Sequence, residues 1–192
     1  MRILTVAASA ALLFSSTAFA QVKQYGHAGT FEITGTFTLS STTSDYDEDI
    51  GGKQDRSETT ITPSGGFFVM DSVEALVDVK ISNTSVGDVD GSLLGVGAGA
   101  GYFLGIGTIR VGPQLLFRYY SREEKLDGRS LFKDVGPGVT GGLAAKVPIG
   151  SGGILITGLN YDYLVTQRKA NGEKGDGTVS GYAVTAGFGI YF

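Results

Sequence analysis

The sequence predicts an all-β fold, an eight-stranded antiparallel up-and-down barrel, and three observations carry that prediction. Glycine supplies 31 of 192 residues within a chain that is 42% apolar and only 18% charged, so the chain is glycine-rich yet folded. Apolar and polar side chains alternate with a period of two in one segment after another, which is strand geometry. The connectors between these segments alternate long and short, as in a meander of hairpins.

The first element is not part of the fold. Arg2, the apolar run 4–14 and Ala18-Phe19-Ala20 read as an export signal at residues 1–20, leaving residues 21–192 as one barrel domain. A retained N-terminal anchor fits less well, because the apolar run is short and gives way to Ser15, Ser16 and Thr17. Zero cysteines remove disulfides, thiolate metal sites and a lipid-attachment thiol together, and a net charge of -4 argues against a nucleic-acid partner.

The strands follow in order. In 31–39, Phe31, Ile33, Gly35, Phe37 and Leu39 oppose Glu32, Thr34, Thr36 and Thr38. Residues 61–70 are the least regular, with Pro63 disturbing their start. In 73–81, Val73, Ala75, Val77, Val79 and Ile81 oppose Glu74, Leu76, Asp78 and Lys80. In 94–104, Leu94, Val96, Ala98, Ala100, Tyr102 and Leu104 oppose Gly95, Gly97, Gly99, Gly101 and Phe103. That uncharged run is no membrane helix: its alternate glycines share one face of a strand, and each costs a helix about 1 kcal/mol relative to Ala. Residues 109–119, 135–147, 155–165 and 182–192 alternate in the same way. Long polar loops are expected at 41–56, 82–92, 121–130 and 168–177, and short turns at 71–72, 105–108 and 149–153.

Two architectures use such a meander. A soluble calyx turns its apolar face inward; a membrane barrel turns it outward. Here the strand charges share faces with the glycines, and eight strands enclose so narrow an interior that small residues are needed there. Aromatics also fall into two girdles: Phe31, Phe67, Tyr102, Phe188 and Phe192 toward the short turns, and Phe117, Tyr119, Tyr161, Tyr163 and Tyr182 toward the long loops. The barrel is therefore read as transmembrane.

The ending makes a resemblance specific. Phe192 as terminal residue, preceded at alternate positions by Ile190, Phe188, Ala186 and Val184, resembles the C-terminal assembly signal of bacterial outer-membrane barrels. With the export signal and eight strands, the whole mature chain resembles the small OmpA/OmpX-like outer-membrane β-barrel proteins. The resemblance implies residence in the cell outer membrane among its lipids and lipopolysaccharide. It also implies insertion by the barrel-assembly machinery, acting on Phe188, Ile190 and Phe192, and, since nothing follows Phe192, no peptidoglycan-binding domain.

Site chemistry is sparse. The glycine run 95–101 lies inside a strand rather than between strand and helix, so it is not a phosphate loop. The single imidazole, His27, sits just before the first strand, at the short-turn end, whereas known barrel enzymes such as lipid A deacylases and omptin-like proteases carry their His-containing sites toward the outer side. No catalytic, cofactor or metal residues are assigned. Asp45, Asp47 and Asp49 suggest a Ca²⁺ loop, but Ile50 stands where an EF-hand needs Gly, and Arg56 where it needs a bidentate Glu; a solvated acidic loop is the better reading. Arg122, Lys125, Arg129, Arg168, Lys169 and Lys174 could touch lipopolysaccharide phosphates, although Glu123, Glu124, Asp127, Glu173 and Asp176 are mixed among them.

The lumen carries more weight. Glu32, Glu74, Asp78, Lys80, Arg110, Arg118, Lys146 and Asp162 are expected to form an ionic network there, joined by Asp134, with Tyr120 and Gln114 adding hydrogen bonds. Strand level pairs Arg110 with Glu32 and Glu74, and sets Lys80 and Arg118 against Asp78 and Asp162. The expected function is a non-enzymatic outer-membrane protein with a plugged polar lumen, serving envelope integrity or surface interaction and adhesion through a ligand the sequence does not name. The alternatives are a small-solute pore lined by those charges and, third, a lipid-modifying barrel enzyme.

Overall fold

The computed structural model describes residues 25–46, 53–86, 89–126, 129–170 and 173–192. The export signal at 1–20 and the acidic stretch 47–51 lie outside the described residues. The strands are β1 (Phe31–Tyr46), β2 (Lys53–Met70), β3 (Val73–Val86), β4 (Val89–Tyr102), β5 (Leu104–Ile106), β6 (Ile109–Leu126), β7 (Arg129–Ile149), β8 (Gly153–Ala170) and β9 (Glu173–Tyr191). They form one antiparallel sheet in the order β4-β3-β2-β1-β9-β8-β7-β6-β5. Pairing of β4 with β6 closes it. Strands β4 and β5 are one barrel strand interrupted at Phe103, so the fold is a closed eight-stranded barrel, as expected.

The short turns fall where the sequence places them. Ser72, Gly107 and Gly150 all have positive φ, the conformation a tight reversal needs and which glycine adopts without strain. The long loops do not. Most of 41–56, 82–92, 121–130 and 168–177 is strand, because each hairpin continues its ladder well past the apolar band. There the inward and outward residues are both polar, so hydrophobic alternation vanishes while backbone pairing continues. Strand β2 likewise begins eight residues before the expected start. Pro63 sits within it opposite Gly35, and the ladder to β3 skips Thr62 and Pro63, consistent with the missing N–H.

One face of every long strand is apolar and exposed: Leu39, Val77, Val96, Phe117, Leu159 and Val184 all lie on the outside. The two girdles bound this belt, with Tyr161 packed on Tyr182 at 5.0 Å between ring centroids and Phe31 on Phe192 at 5.3 Å. Glycines of β4 take the inward face. A Cβ at Gly97 would lie 2.4 Å from the Asp78 carboxylate and 2.6 Å from the Arg118 side chain, and one at Gly99 only 2.0 Å from the Leu115 carbonyl. Large charged side chains cross the lumen because the wall beside them is bare.

Leu159, midway along the exposed belt of β8, is a direct test of which face meets lipid. Leu159→Arg is expected to lower unfolding free energy in vesicles by about 2–4 kcal/mol in a denaturant titration.

Candidate functional site

The lumen is filled from the short-turn end upward. At that end residues 25–30, which carry no alternation and which sequence reasoning missed, fold across the mouth. Gly29 N–H donates to the Phe68 carbonyl at 2.7 Å and Ser72 N–H to the Gly26 carbonyl at 3.0 Å, tying the segment to the β2–β3 turn. Gly26 has φ +86°, and a Cβ there would meet Arg110 Nε at 2.7 Å. The Tyr25 ring packs on Tyr191 at 4.9 Å and on Phe68 at 5.5 Å. With Phe103, Ala144 and Ile154 these form a buried apolar floor. Phe103 reaches it because it shares the inward parity of the β4 glycines, and its N–H donates to the Ser72 carbonyl at 2.7 Å, continuing the register of β3 and β4.

Polar groups begin on that floor. Tyr25 OH donates to Glu32 Oε2 at 2.5 Å. Lys146 Nζ donates to Glu32 Oε1 and to Glu74 Oε2, both at 2.6 Å, and lies 4.6 Å from the Phe103 ring centroid. Lys146 is 3% and Glu74 0% exposed, so neither could stand as an ion alone. Glu74 Oε1 has no hydrogen-bond partner there.

The expected pairing of Arg110 with these carboxylates is wrong. Arg110 and Lys146 are directly opposite on β6 and β7, so two like charges compete for one carboxylate pair. Lys146 takes it. Arg110, half-buried at the mouth, donates from Nη2 to the Tyr25 carbonyl at 3.0 Å.

Higher up, Lys80 Nζ donates to Asp162 Oδ2 at 3.0 Å. Arg118 forks onto both oxygens of Asp78, and its Nη1 reaches Asp162 Oδ1 at 3.4 Å. Thr140 accepts from Arg118 and donates to Asp162. Gln114 Nε2 donates to Asn160 Oδ1 at 2.9 Å. Tyr120 is buried beneath Lys80, 5.7 Å from ring centroid to Nζ, but its hydroxyl has no hydrogen-bond partner.

Two further pairs involve cations the sequence assigned to loops, Arg168 and Arg122. Arg168 lies inside the barrel, donating from Nε and Nη2 to the two oxygens of Asp134 at 2.8 and 2.9 Å. Its guanidinium stacks on Tyr46 and Phe132, 3.8 and 4.1 Å from their ring centroids. Arg122 pairs with Glu58 on the same level. The missed signal was parity: Arg168 and Arg122 continue the inward positions of their strands beyond the apolar band, as Asp134, already expected in the lumen, does.

Between these layers lie two cavities of mixed lining. One of about 70 Å³ is lined by Thr34, Thr38, Thr62 and Ser64 on one wall and by Asp78, Arg118 and Asp162 on the other. A second of about 50 Å³ lies among Ser40, Thr42, Thr60, Asp134 and Thr166. Lys80 and Asp162 border both.

The remaining candidates lie elsewhere. Phe188, Ile190 and Phe192 are exposed on the outer face of the last strand, and Phe192 exchanges both backbone hydrogen bonds with Phe31 at 2.9 Å. His27 Nδ1 is 3.3 Å from Asp71 Oδ1 at the short-turn mouth. Asp71 also accepts from the Ala28 N–H at 2.8 Å, and this hydrogen bond holds its carboxyl below the usual carboxylate range. Among the described residues no group of three or more His, Cys, Asp or Glu could hold a metal.

Fold and lumen together define a small closed barrel with an apolar outer belt and an ion-paired, largely filled interior. No family model and no curated protein matches the sequence. Solved structures do match the fold. Neisserial surface protein A is 17% identical with a TM-score of 0.61, over 85% of this chain and 99% of its own. OprG of Pseudomonas aeruginosa is 17% identical with a TM-score of 0.61, over 88% and 99%. Ail of Yersinia pestis is 13% identical with a TM-score of 0.57, over 86% and 99%. The chain has the fold of small eight-stranded outer-membrane barrels, OmpA/OmpX-like in architecture.

Lys146→Met strands two buried carboxylates and is expected to cost about 3–5 kcal/mol in detergent-based denaturation, whereas Arg110→Ala at the half-open mouth costs clearly less. Changing Glu32 and Glu74 to Gln in the Lys146→Met background should recover most of the loss. A second expectation concerns acid. Because Asp71's carboxyl is held low, its tie to residues 27–28 is intact above the ordinary Asp range and is lost as pH falls through the lowered value. Thermal melts across the acid range should show that loss in the wild type and not in Asp71→Asn.

Proposed function

We propose that the chain is a non-enzymatic integral protein of the bacterial outer membrane whose interior is closed and whose work is done by its wall and its projecting hairpins. In this reading residues 1–20 are a cleaved export signal. Phe188, Ile190 and Phe192 form the assembly signal engaged by the barrel-assembly machinery. Outer-membrane lipids and lipopolysaccharide surround the belt. The role is envelope integrity or surface interaction; Ail has been crystallised with the heparin analogue sucrose octasulfate, which makes a surface ligand a reasonable expectation for this architecture.

The observation that carries the closed reading is the sequence of seals along the lumen. Tyr25, Phe68 and Phe103 floor the short-turn mouth, the Lys146 pair sits on the floor, and the Arg118–Asp78–Asp162–Lys80 cluster crosses the middle. A pore is favoured instead by the two cavities, since only the Lys80–Asp162 neighbourhood separates them. A catalytic reading has less support: the one imidazole lies at the short-turn mouth, paired with Asp71.

Planar-bilayer recording of refolded protein separates the two readings. The closed barrel is expected to show no steady conductance, and removal of residues 25–30 together with Lys146→Ala should raise it. Ohmic conductance of the unmutated protein, indifferent to these changes, would establish the pore and end the closed reading. Deleting Phe192 should lower outer-membrane levels and leave precursor or degraded protein in the periplasm; unchanged surface levels would remove the assembly role.

A further inference from the structure

We propose that Lys133, Lys169 and Lys174 form a binding site on the outer wall for the phosphorylated core saccharide of lipopolysaccharide standing in the surrounding leaflet. The inference rests on the outer-membrane reading above and adds to it a site and a ligand class.

The site emerges from strand register. Lys133 on β7 lies directly opposite Lys169 on β8, and Lys169 directly opposite Lys174 on β9. All three side chains are exposed. All three point outward, sharing parity along their strands with the exposed belt residues Val139, Tyr161 and Tyr182. Neighbouring strands are about 4.8 Å apart, so three ammonium groups crowd a span of roughly 10 Å. Like charges placed directly across a strand pair are destabilising, and such rows are normally relieved by a carboxylate.

Here carboxylates stand only at the flanks of the row. Glu123 on β6 is directly opposite Lys133, but its carboxylate is paired with Lys125 at 3.4 Å. Asp176, on the same face of β9, is opposite Gln167. Among the described residues none of the three lysines forms an ion pair or hydrogen bond through its side chain. On β1 and β2, by contrast, Asp45 stands directly opposite Lys53. The row therefore sets three adjacent ammonium groups between flanking carboxylates with none of the three in an ion pair, and it matches a multiply charged anion.

Height selects the anion. Lys169 is six residues beyond Tyr163, the uppermost girdle residue of β8. At about 3.3 Å per residue and a tilt of 35–45°, the row stands roughly 15 Å above the tyrosine girdle. Interfacial aromatics mark the headgroup level, and a four-carbon lysine stem does not span that gap down to a phospholipid phosphate. Phosphorylated sugars carried above the leaflet by a glycolipid do reach it, and a phosphate accepts charge-assisted hydrogen bonds from several ammonium donors at once.

The test uses the full refolded chain in detergent micelles. The variants are a triple Lys133→Gln, Lys169→Gln, Lys174→Gln protein and a triple Lys→Arg protein at the same positions. The probes are lipopolysaccharide with a phosphorylated core and a truncated form with the same lipid A but no core phosphates. The wild type is expected to bind the phosphorylated form about tenfold more tightly, the difference one or two charge-assisted contacts make, and to lose that preference at high salt. The Gln protein should show no preference and the Arg protein should keep it. Equal affinity of the wild type for both probes, or an undiminished preference in the Gln protein, overturns the site. Tighter retention of a soluble sulfated polysaccharide than of either glycolipid also overturns it, moving the ligand outside the membrane. A heat-dependent gel shift shared by all proteins reports the folded barrel, so failure of the outer-membrane reading would appear there, separately from loss of the site.

Discussion

Closure of the sheet is the constraint on which the rest of this structure depends. β1 pairs with β9 along its whole length, and β4 joined to β6 closes the ring, leaving unpaired only the upper ends of β2 and β3 where they face each other. An eight-stranded barrel leaves an interior only wide enough for side chains. Every inward position must then be small, apolar or paired. The β4 glycines meet the first condition, the floor around Phe68 and Phe103 the second, and the ion clusters the third. Buried charge on this scale is tolerated because nearly every member has a partner on another strand, so the pairs also fix strands across the lumen.

The interior is not symmetrical. Midway up, β1 and β2 offer hydroxyls, from Thr34, Thr38, Thr60 and Thr62, while β3, β6, β7 and β8 carry the charges Asp78, Lys80, Arg118, Lys146 and Asp162. The hydroxyl wall asks little of its surroundings and leaves space, and both cavities lie against it. The charged wall interlocks. Stability and occlusion therefore belong to one side of the barrel, and whatever water the lumen holds belongs to the other.

The short-turn mouth shows how a few irregular residues decide a property of the whole. Phe68 near the end of β2 and the turn at Asp71 and Ser72 supply the partners that residues 25–30 use. The bound segment delivers Tyr25 to Glu32 and a backbone carbonyl to Arg110. Arg110 so becomes part of the lid rather than of the Glu32–Glu74 cluster, and Lys146 alone neutralises those carboxylates from within.

Strand identity, the inward face, the short turns and the two girdles were legible in the sequence because all follow from period-two alternation, a local property of the backbone. The pairing of Asp78 and Asp162 with Arg118 and Lys80 was legible too, since strand level can be counted from the turns. Partner choice between competing cations was not: it depended on Arg110 and Lys146 being lateral neighbours, and register between adjacent strands is set by closure. The length of the hairpins was hidden because polar residues on both faces erase the alternation while the ladder continues, and with it the inward places of Arg122 and Arg168. The floor built by Tyr25 and the lysine row across β7, β8 and β9 were likewise invisible, because each joins residues that only long-range backbone pairing brings together. The sequence by itself determined which face each strand turns to lipid; tertiary closure decided which charges meet, because it alone fixes what stands beside and across from each of them.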